Sequence, residues 1–444
     1  MNALSRRQLL TLGVGATAAT ILAGCSTPGT TSVNTQPTLP PADGPIRLTY
    51  WSWLKDLQKV ADVWNAQNPD VQVEVSWIQG GNAGGYQKLY SALAAGSGPD
   101  LAQVEMRSLP EFMLVNGVTD LSRYGVQQYR DRYDETLWNQ VSFTGGVYAI
   151  PQDSGPVGMY YRPDLFEARG LDIPATREEW FAAGEVFRDE GSALIDVFPI
   201  SDTSGFAGYA GQAGATWFRA DEDGWVIDMA DEATLEVARF FDRAIDERIV
   251  GTSYNPYTPA WFAAAARDEV ASLVSASWGD ALMTGISGAE GKWRVAPAPT
   301  WSTGFGSTYQ GGSTAAVLAT SRHPKEAMEF AVWMTTSQEG IDAMIANSGI
   351  GWSPARDIIG TAREGGSEFF GGQSYNTEVF QPATQQQNPD WSWWPVTQQT
   401  FNILADGFRR KTSGGTLVDA IATTEAQVIE VFRNKGLTIR KADR

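Results

Sequence analysis

At 444 residues the chain is too long for one ordinary hydrophobic core, so two lobes or domains of roughly 150–200 residues each are expected, with a cleft between them. With 43% hydrophobic and 19% charged residues the composition is globular, and a net charge of −18 repels phosphate backbones and anionic lipid head groups, which argues against nucleic-acid binding. One cysteine and one histidine leave no intramolecular disulfide and no His/Cys set for zinc or another transition metal.

The amino-terminal 25 residues carry the strongest local signal. "SRRQLL" (5–10) supplies a twin arginine, Leu9 to Ala23 is apolar and small, and "LAGC" (22–25) closes the run. This is an export signal, too short and too rich in Gly and Ala for a membrane span. "LAGC" resembles the lipobox of bacterial lipoproteins, which implies that Cys25 becomes the acylated first residue after removal of residues 1–24. The twin arginine resembles a Tat signal, although Leu9 stands where such signals usually carry Phe. Loss of Arg6 and Arg7, with no acidic residue, deepens the negative balance. Residues 25–45 are rich in Ser, Thr, Pro and Gly without apolar periodicity and read as a tether that holds the folded body near a membrane it does not enter.

The body opens with a β-rich run at 46–53, followed by a helical pattern with Leu57, Val60, Ala61 and Trp64 on one face. Residues 71–78 then alternate, which places Val71, Val73, Val75 and Trp77 on one side of a strand. Strand, helix and strand within 46–78 make a βαβ unit, so the fold class is α/β with a parallel sheet covered by helices. A helix over 86–95, a strand at 101–105 and a helix including 109–117 continue the pattern. In such sheets ligands collect at the carboxyl ends of strands, which favours Trp53 to Lys55 and Glu105 to Arg107. Residues 145–171 and 293–320 interrupt strand-like runs with Pro and Gly and are plausible crossovers between lobes. A clear amphipathic helix occupies 321–340, with Ser321 as candidate cap and Ala327, Phe330, Ala331 and Met334 facing inward. The apolar run 270–276 reads as a buried strand from which Trp278 emerges, with Gly279 leaving the indole face uncovered.

Most catalytic chemistry is missing. His323, the only histidine, precedes Pro324 at a helix start rather than sitting in a cleft. No stretch fits a P-loop, none in the body fits a dinucleotide fingerprint, and "GGSTA" (311–315) lacks the final glycine of a nucleophile elbow. A pair of carboxylates across a cleft remains as a glycosidase option, with no acid marked out as its member.

Six blocks in order identify a resemblance that covers nearly the whole body: "ALAAGSGPDLAQVE", "VYAIPQDSGPVGMYYRPDLFEARGLDIPATREEW", "EVASLVSASWG", "VAPAPT", "YQGGSTAAVLATSRHPKEAMEFAVWMTTSQEG" and "GWSPAR". They resemble the extracellular solute-binding proteins of bacterial ABC importers, the carbohydrate-binding group that includes maltose-binding protein. The resemblance implies a two-lobed, type II α/β fold in which each lobe is a sheet flanked by helices. Lobe 1 would span 46–153 plus 308–336 and lobe 2 154–307 plus 337–444, with hinges near Asp153–Val157, Trp301–Gly312 and Thr336–Ile341. It further implies a monomer that binds a di- or oligosaccharide and passes it to ABC permease subunits, without cofactor, metal or catalytic residues, from a position outside the cytoplasm anchored through Cys25.

The ligand positions it implies are Trp53 and Lys55 after the first strand, Glu105 and Arg107 after "PDLAQV", Gln152 and Asp153 at the first crossover, and Trp217 after a small-residue loop. Trp278 would stack under a sugar ring, Gly311, Gly312 and Ser313 would bring backbone to the cleft, and Trp352 and Arg356 would lie near the rim. Asp100 reads as structural. Trp391, with Trp393 and Trp394, is either a third aromatic platform or part of a loop packed on the body. For Trp53, Trp217 and Trp352 a place in the core stays open as the alternative. Lys55 and Arg107 replace acids of maltose-binding protein, so a glycerophosphodiester or another polar solute is the rival ligand, and a surface glycosidase the rival function.

Overall fold

The structure is a computed structural model that describes residues 44–443 except 82, 83, 144 and 192. The export signal, Cys25 and most of the tether lie outside the described residues.

The predicted βαβ unit forms as read. Strand β1 (Ile46–Ser52) pairs in parallel with β2 (Val71–Trp77) over its full length, from Ile46 opposite Val71 to Ser52 opposite Trp77. Helix α1 (Leu57–Gln67) returns the chain and buries Leu57, Val60 and Ala61 against the sheet. Strand β3 (Leu101–Glu105) joins β1 on its other side, also in parallel. Asp100 accepts from the Thr49 amide at 2.9 Å and from Ser321 at 2.7 Å, fixing the turn into β3 as expected. Strand 313–317 and the two residues 150–151 complete a five-stranded sheet in antiparallel sense. Its core gathers Leu48, Tyr50, Leu101, Val104, Phe330 and Met334. Because β2, β1 and β3 run the same way, their carboxyl ends share one rim, where Trp77, Trp53 and Glu105 follow one another. Trp77 ends β2 in the alternation read for it, but it is 60% exposed, on an edge strand of the sheet.

A second sheet has Val157–Tyr161 at its centre, flanked antiparallel by Ser272–Ala276 and Arg294–Pro297. Val157–Tyr161 and Ser272–Ala276 are buried almost throughout because both faces of the sheet are covered there. Adjacent residues therefore enter different cores: Met159 and Val274 one, Tyr160 and Leu273 the other.

Three connections link the sheets. Residues 152–156 and 298–312 run between strands of the two sheets, overlapping the stretches 153–157 and 301–312, and backbone pairing joins Pro156 to Tyr309 and Ser154 to Trp352. The third expectation is corrected. Thr336–Ile341 is the junction of helices Pro324–Thr336 and Gln338–Ser348, capped by Ser337 on the Gly340 amide at 3.0 Å, and the second helix packs Met344 into the first core. The chain crosses later, at 349–352, so 337–348 belongs with the first lobe. Ser321 is also not the helix cap: the helix starts at Pro324, and the Ser321 hydroxyl accepts from the His323 amide.

Asp196 anchors the second lobe, its carboxyl accepting from the amides of Val274 at 3.0 Å and Val197 at 2.6 Å. Burial pushes it up to about 7 despite these two donors, which pull it down. The folded carboxyl thus keeps a proton that the unfolded one releases near pH 4, so this group's contribution to stability falls as pH rises from about 4 to about 7. Asp196→Asn is expected to lose one acceptor at every pH but to flatten the fall of Tm across that window in differential scanning calorimetry; an unchanged slope would show an ionised carboxylate in the fold.

Candidate functional site

A cavity of about 610 Å³ opens between the carboxyl-end rim of the first sheet, the crossovers and the second lobe. From the first lobe come Trp53, Gln103, Glu105 and Arg107, and from the crossovers Asp153, Gln310, Gly311, Gly312 and Ser313. The second lobe supplies the 201–205 loop, Asn255, Tyr257, Trp278 and, from helix Thr397–Phe408, Gln398, Phe401 and Asn402.

The first wall is organised by a buried carboxamide. Gln103 Oε1 accepts from the Ser52 hydroxyl at 2.7 Å and the Trp53 amide at 3.3 Å, while Nε2 donates to Ser313 at 3.1 Å, so the ends of β1, β3 and strand 313–317 are held together. Glu105 and Arg107 form an ion pair at 2.7 Å. The Tyr86 hydroxyl donates to the other Glu105 oxygen at 3.1 Å and accepts from the Glu105 amide at 2.9 Å. Burial is the strongest single influence on the Arg107 guanidinium and pulls it down, but Glu105, Tyr86 and Asp202 together outweigh it and the net shift is upward. Arg107 Nε is buried with no hydrogen-bond partner among the described residues, which leaves a donor for an oxygen-rich ligand.

At the crossover, Asp153 Oδ1 accepts from the Ser313 amide at 2.6 Å. Burial raises this carboxyl to about 6, with Glu105 adding to the rise and the Ser313 bond and Arg363 opposing it. Gly311 and Gly312 hold φ of +84° and +111°, backbone that disfavours any side chain, and a Cβ on Gly311 would crowd the Trp278 indole nitrogen at 3.3 Å.

Trp278 is half-buried at the end of its strand, and its indole N–H donates to the Gln310 carbonyl at 2.7 Å. Tyr257 lies beside it, ring centres 5.6 Å apart, held by a donation to Ser275 at 2.9 Å and by a strained φ of +61°. Gly279 has a different reason from the one expected: a Cβ there would collide with the Tyr257 hydroxyl, so it makes room for the phenol rather than uncovering the indole. The lobes also touch directly, with Glu111 accepting from the Gln398 amide at 3.3 Å.

Of the expected ligand residues, Trp53, Glu105, Arg107, Asp153, Trp278, Gly311, Gly312 and Ser313 line this one cavity. Six do not. Gln152 is buried, its side-chain oxygen accepting from the Tyr50 hydroxyl. Trp217 is 1% exposed and donates its N–H to Thr234 at 2.8 Å. Trp391 packs on Trp217 at 5.4 Å between ring centres, and Trp393 and Trp394 are buried in the same core, which makes this loop part of the body and not a third platform. Trp352 is buried beside Phe380. Lys55 and Arg356 are exposed and do not line the cavity, the latter paired through its amide with the Arg132 carbonyl. Sequence reasoning missed Asn255, Tyr257, Gln310 and Phe401. The Asn-Pro turn at 255–256 and the placement of Gln310 next to the two glycines were usable signals; Phe401 on a helix gave none. Among the described residues no group of His, Cys, Asp and Glu is placed to hold a metal ion, and no helix is long and apolar enough to cross a membrane.

Residues 51–341 match the family model described as bacterial extracellular solute-binding protein. The chain is 25% identical over 313 residues to the arabinooligosaccharide-binding protein of Halalkalibacterium halodurans, covering 67% of this chain and 69% of that protein. It is 29% identical to a lipoprotein of Streptomyces antibioticus over 36% of this chain and 34% of that protein. The galacto-N-biose/lacto-N-biose I-binding protein of the ABC transporter from Bifidobacterium longum, solved with lacto-N-biose, superposes with a TM-score of 0.80 at 26% identity, over 90% of this chain and 100% of that one. The fold is thus the two-lobed α/β fold of type II periplasmic binding proteins.

Two substitutions separate wall from core. Trp278→Ala is expected to cost about 1–3 kcal/mol by chemical denaturation, because the Gln310 carbonyl loses its donor, and to remove most ligand affinity in calorimetric titration. Trp217→Ala is expected to cost about 3–5 kcal/mol and to leave the affinity of the folded fraction intact; the opposite assignment of the two losses would move the site.

Proposed function

The chain belongs to the bacterial extracellular solute-binding protein family, and on that premise we propose that it captures a di- or oligosaccharide between its lobes and delivers it to an ABC permease. The observation that carries this reading is the wall itself: a half-buried indole whose N–H is already satisfied, facing a ring of amide, hydroxyl and paired carboxylate groups. Pyranose rings present apolar C–H faces to such an indole and hydroxyls to such a ring. Arg107 is the only cation among the lining residues and is paired with Glu105, while Lys55 lies outside, so the wall favours a neutral sugar over a glycerophosphodiester. Capture needs no covalent step: ligand contacts to both lobes shift the population toward closure.

In this reading the protein works as a monomer outside the cytoplasm, exported by its amino-terminal signal and held at the membrane by acylated Cys25. The similarity to a lipoprotein supports the anchor.

A thermal-shift screen tests the ligand class. Arabinobiose, arabinotriose and lacto-N-biose are expected to raise Tm, with stabilisation of about 2.7 kcal/mol at a hundredfold excess over Kd, while glycerophosphocholine leaves it unchanged and chromatography finds the sugars intact. A response confined to the phosphodiester would reverse the ligand assignment, and sugar cleavage would make the protein an enzyme. Cys25→Ala is expected to release the protein from the membrane fraction; retention there would remove the lipid anchor.

A further inference from the structure

Trp77 is the largest exposed apolar side chain among the described residues, at 60% of its surface, and the site described above does not use it. It ends β2, directly opposite Ser52 at the end of β1, on the rim that carries Trp53 and Glu105. Its indole N–H donates to the carbonyl of Trp53 at 3.1 Å, and Trp53 is a wall residue of the cavity. The ring is therefore tethered one residue outside the wall with its only polar atom satisfied. What remains is a flat apolar surface at the mouth. Neighbouring strands lie roughly 4.8 Å apart, a step on the order of one sugar ring.

We propose that Trp77 is an outer stacking platform for a saccharide residue that projects from the cavity, so that the protein takes oligosaccharides longer than the cavity alone encloses. This rests on the reading that the cavity binds a saccharide. The surroundings favour a sugar over a protein partner. Among the described residues the other exposed large apolar side chains, Leu114, Val115 and Leu282, belong to other elements, and Ser76 and Gln79 in the same segment are exposed and polar, whereas a protein-docking surface needs a contiguous apolar patch. A single pinned ring is the form that stacking on a pyranose or furanose face requires.

Calorimetric titration with arabino- and galacto-oligosaccharides of two to five residues tests the proposal on the native protein, Trp77→Ala and Trp77→Phe. The native protein is expected to gain about tenfold in affinity between the disaccharide and the longer members of the series it binds. Trp77→Ala is expected to erase that gain, keep disaccharide affinity within about twofold and retain the native Tm, while Trp77→Phe keeps part of the gain. Native binding that does not depend on length, or a Trp77→Ala protein that binds every length as the native one does, would overturn the platform while leaving saccharide capture intact. A variant with unaltered binding that fails to stimulate the permease would make Trp77 a protein contact and equally overturn it. Absence of native binding to both series would overturn the saccharide reading and the platform with it.

Discussion

The donation from the Trp278 indole N–H to the Gln310 carbonyl joins the aromatic wall of the cavity to the connection between the lobes. Gln310 is bound on every side: its amide donates to Gly155 in the first crossover at 3.0 Å, and its side-chain oxygen accepts from the Ala276 amide at 3.1 Å. One residue therefore ties together two crossovers, the strand that ends at Trp278 and the indole itself. Gly311 and Gly312 follow at once, turning the chain through positive φ into the strand that pairs with β3. The Trp278 wall and the connection between the lobes thus share one junction.

The polar wall shows why such a junction suits a neutral, hydroxyl-rich solute. Glu105 and Arg107 neutralise each other, and Asp153, raised to about 6 by burial, spends its Oδ1 on the Ser313 amide. Buried and unsatisfied, Arg107 Nε is the kind of group that is costly to leave empty and that a ligand oxygen satisfies. Glu111 on the Gln398 amide adds a direct contact between lobes.

Periodicity made the first lobe legible. The β1, α1 and β2 segments appear where apolar spacing put them, and the run 272–276 is buried throughout because its sheet is covered on both faces. The cavity lining was legible where residues end or follow strands, as with Trp53, Glu105 and Trp278. It was illegible where tertiary context decides direction. Composition cannot tell a tryptophan that stacks on a ligand from one that fills a core, and Trp217, Trp352 and Trp391 all proved to be core. The third crossover was misplaced because the Thr-Thr-Ser break at 335–337 marks a helix junction as readily as a hinge. Alternation placed Trp77 on a strand but could not show its exposure, which comes from its position at the end of an edge strand.

A crystal structure of the protein with the oligosaccharide that raises its Tm most is the direct measurement. Capture between the lobes predicts one sugar ring lying flat on the Trp278 indole, with its hydroxyls within hydrogen-bond reach of Glu105, Arg107 and Asp153. A sugar seated elsewhere, with the Trp278 face bare, would contradict it.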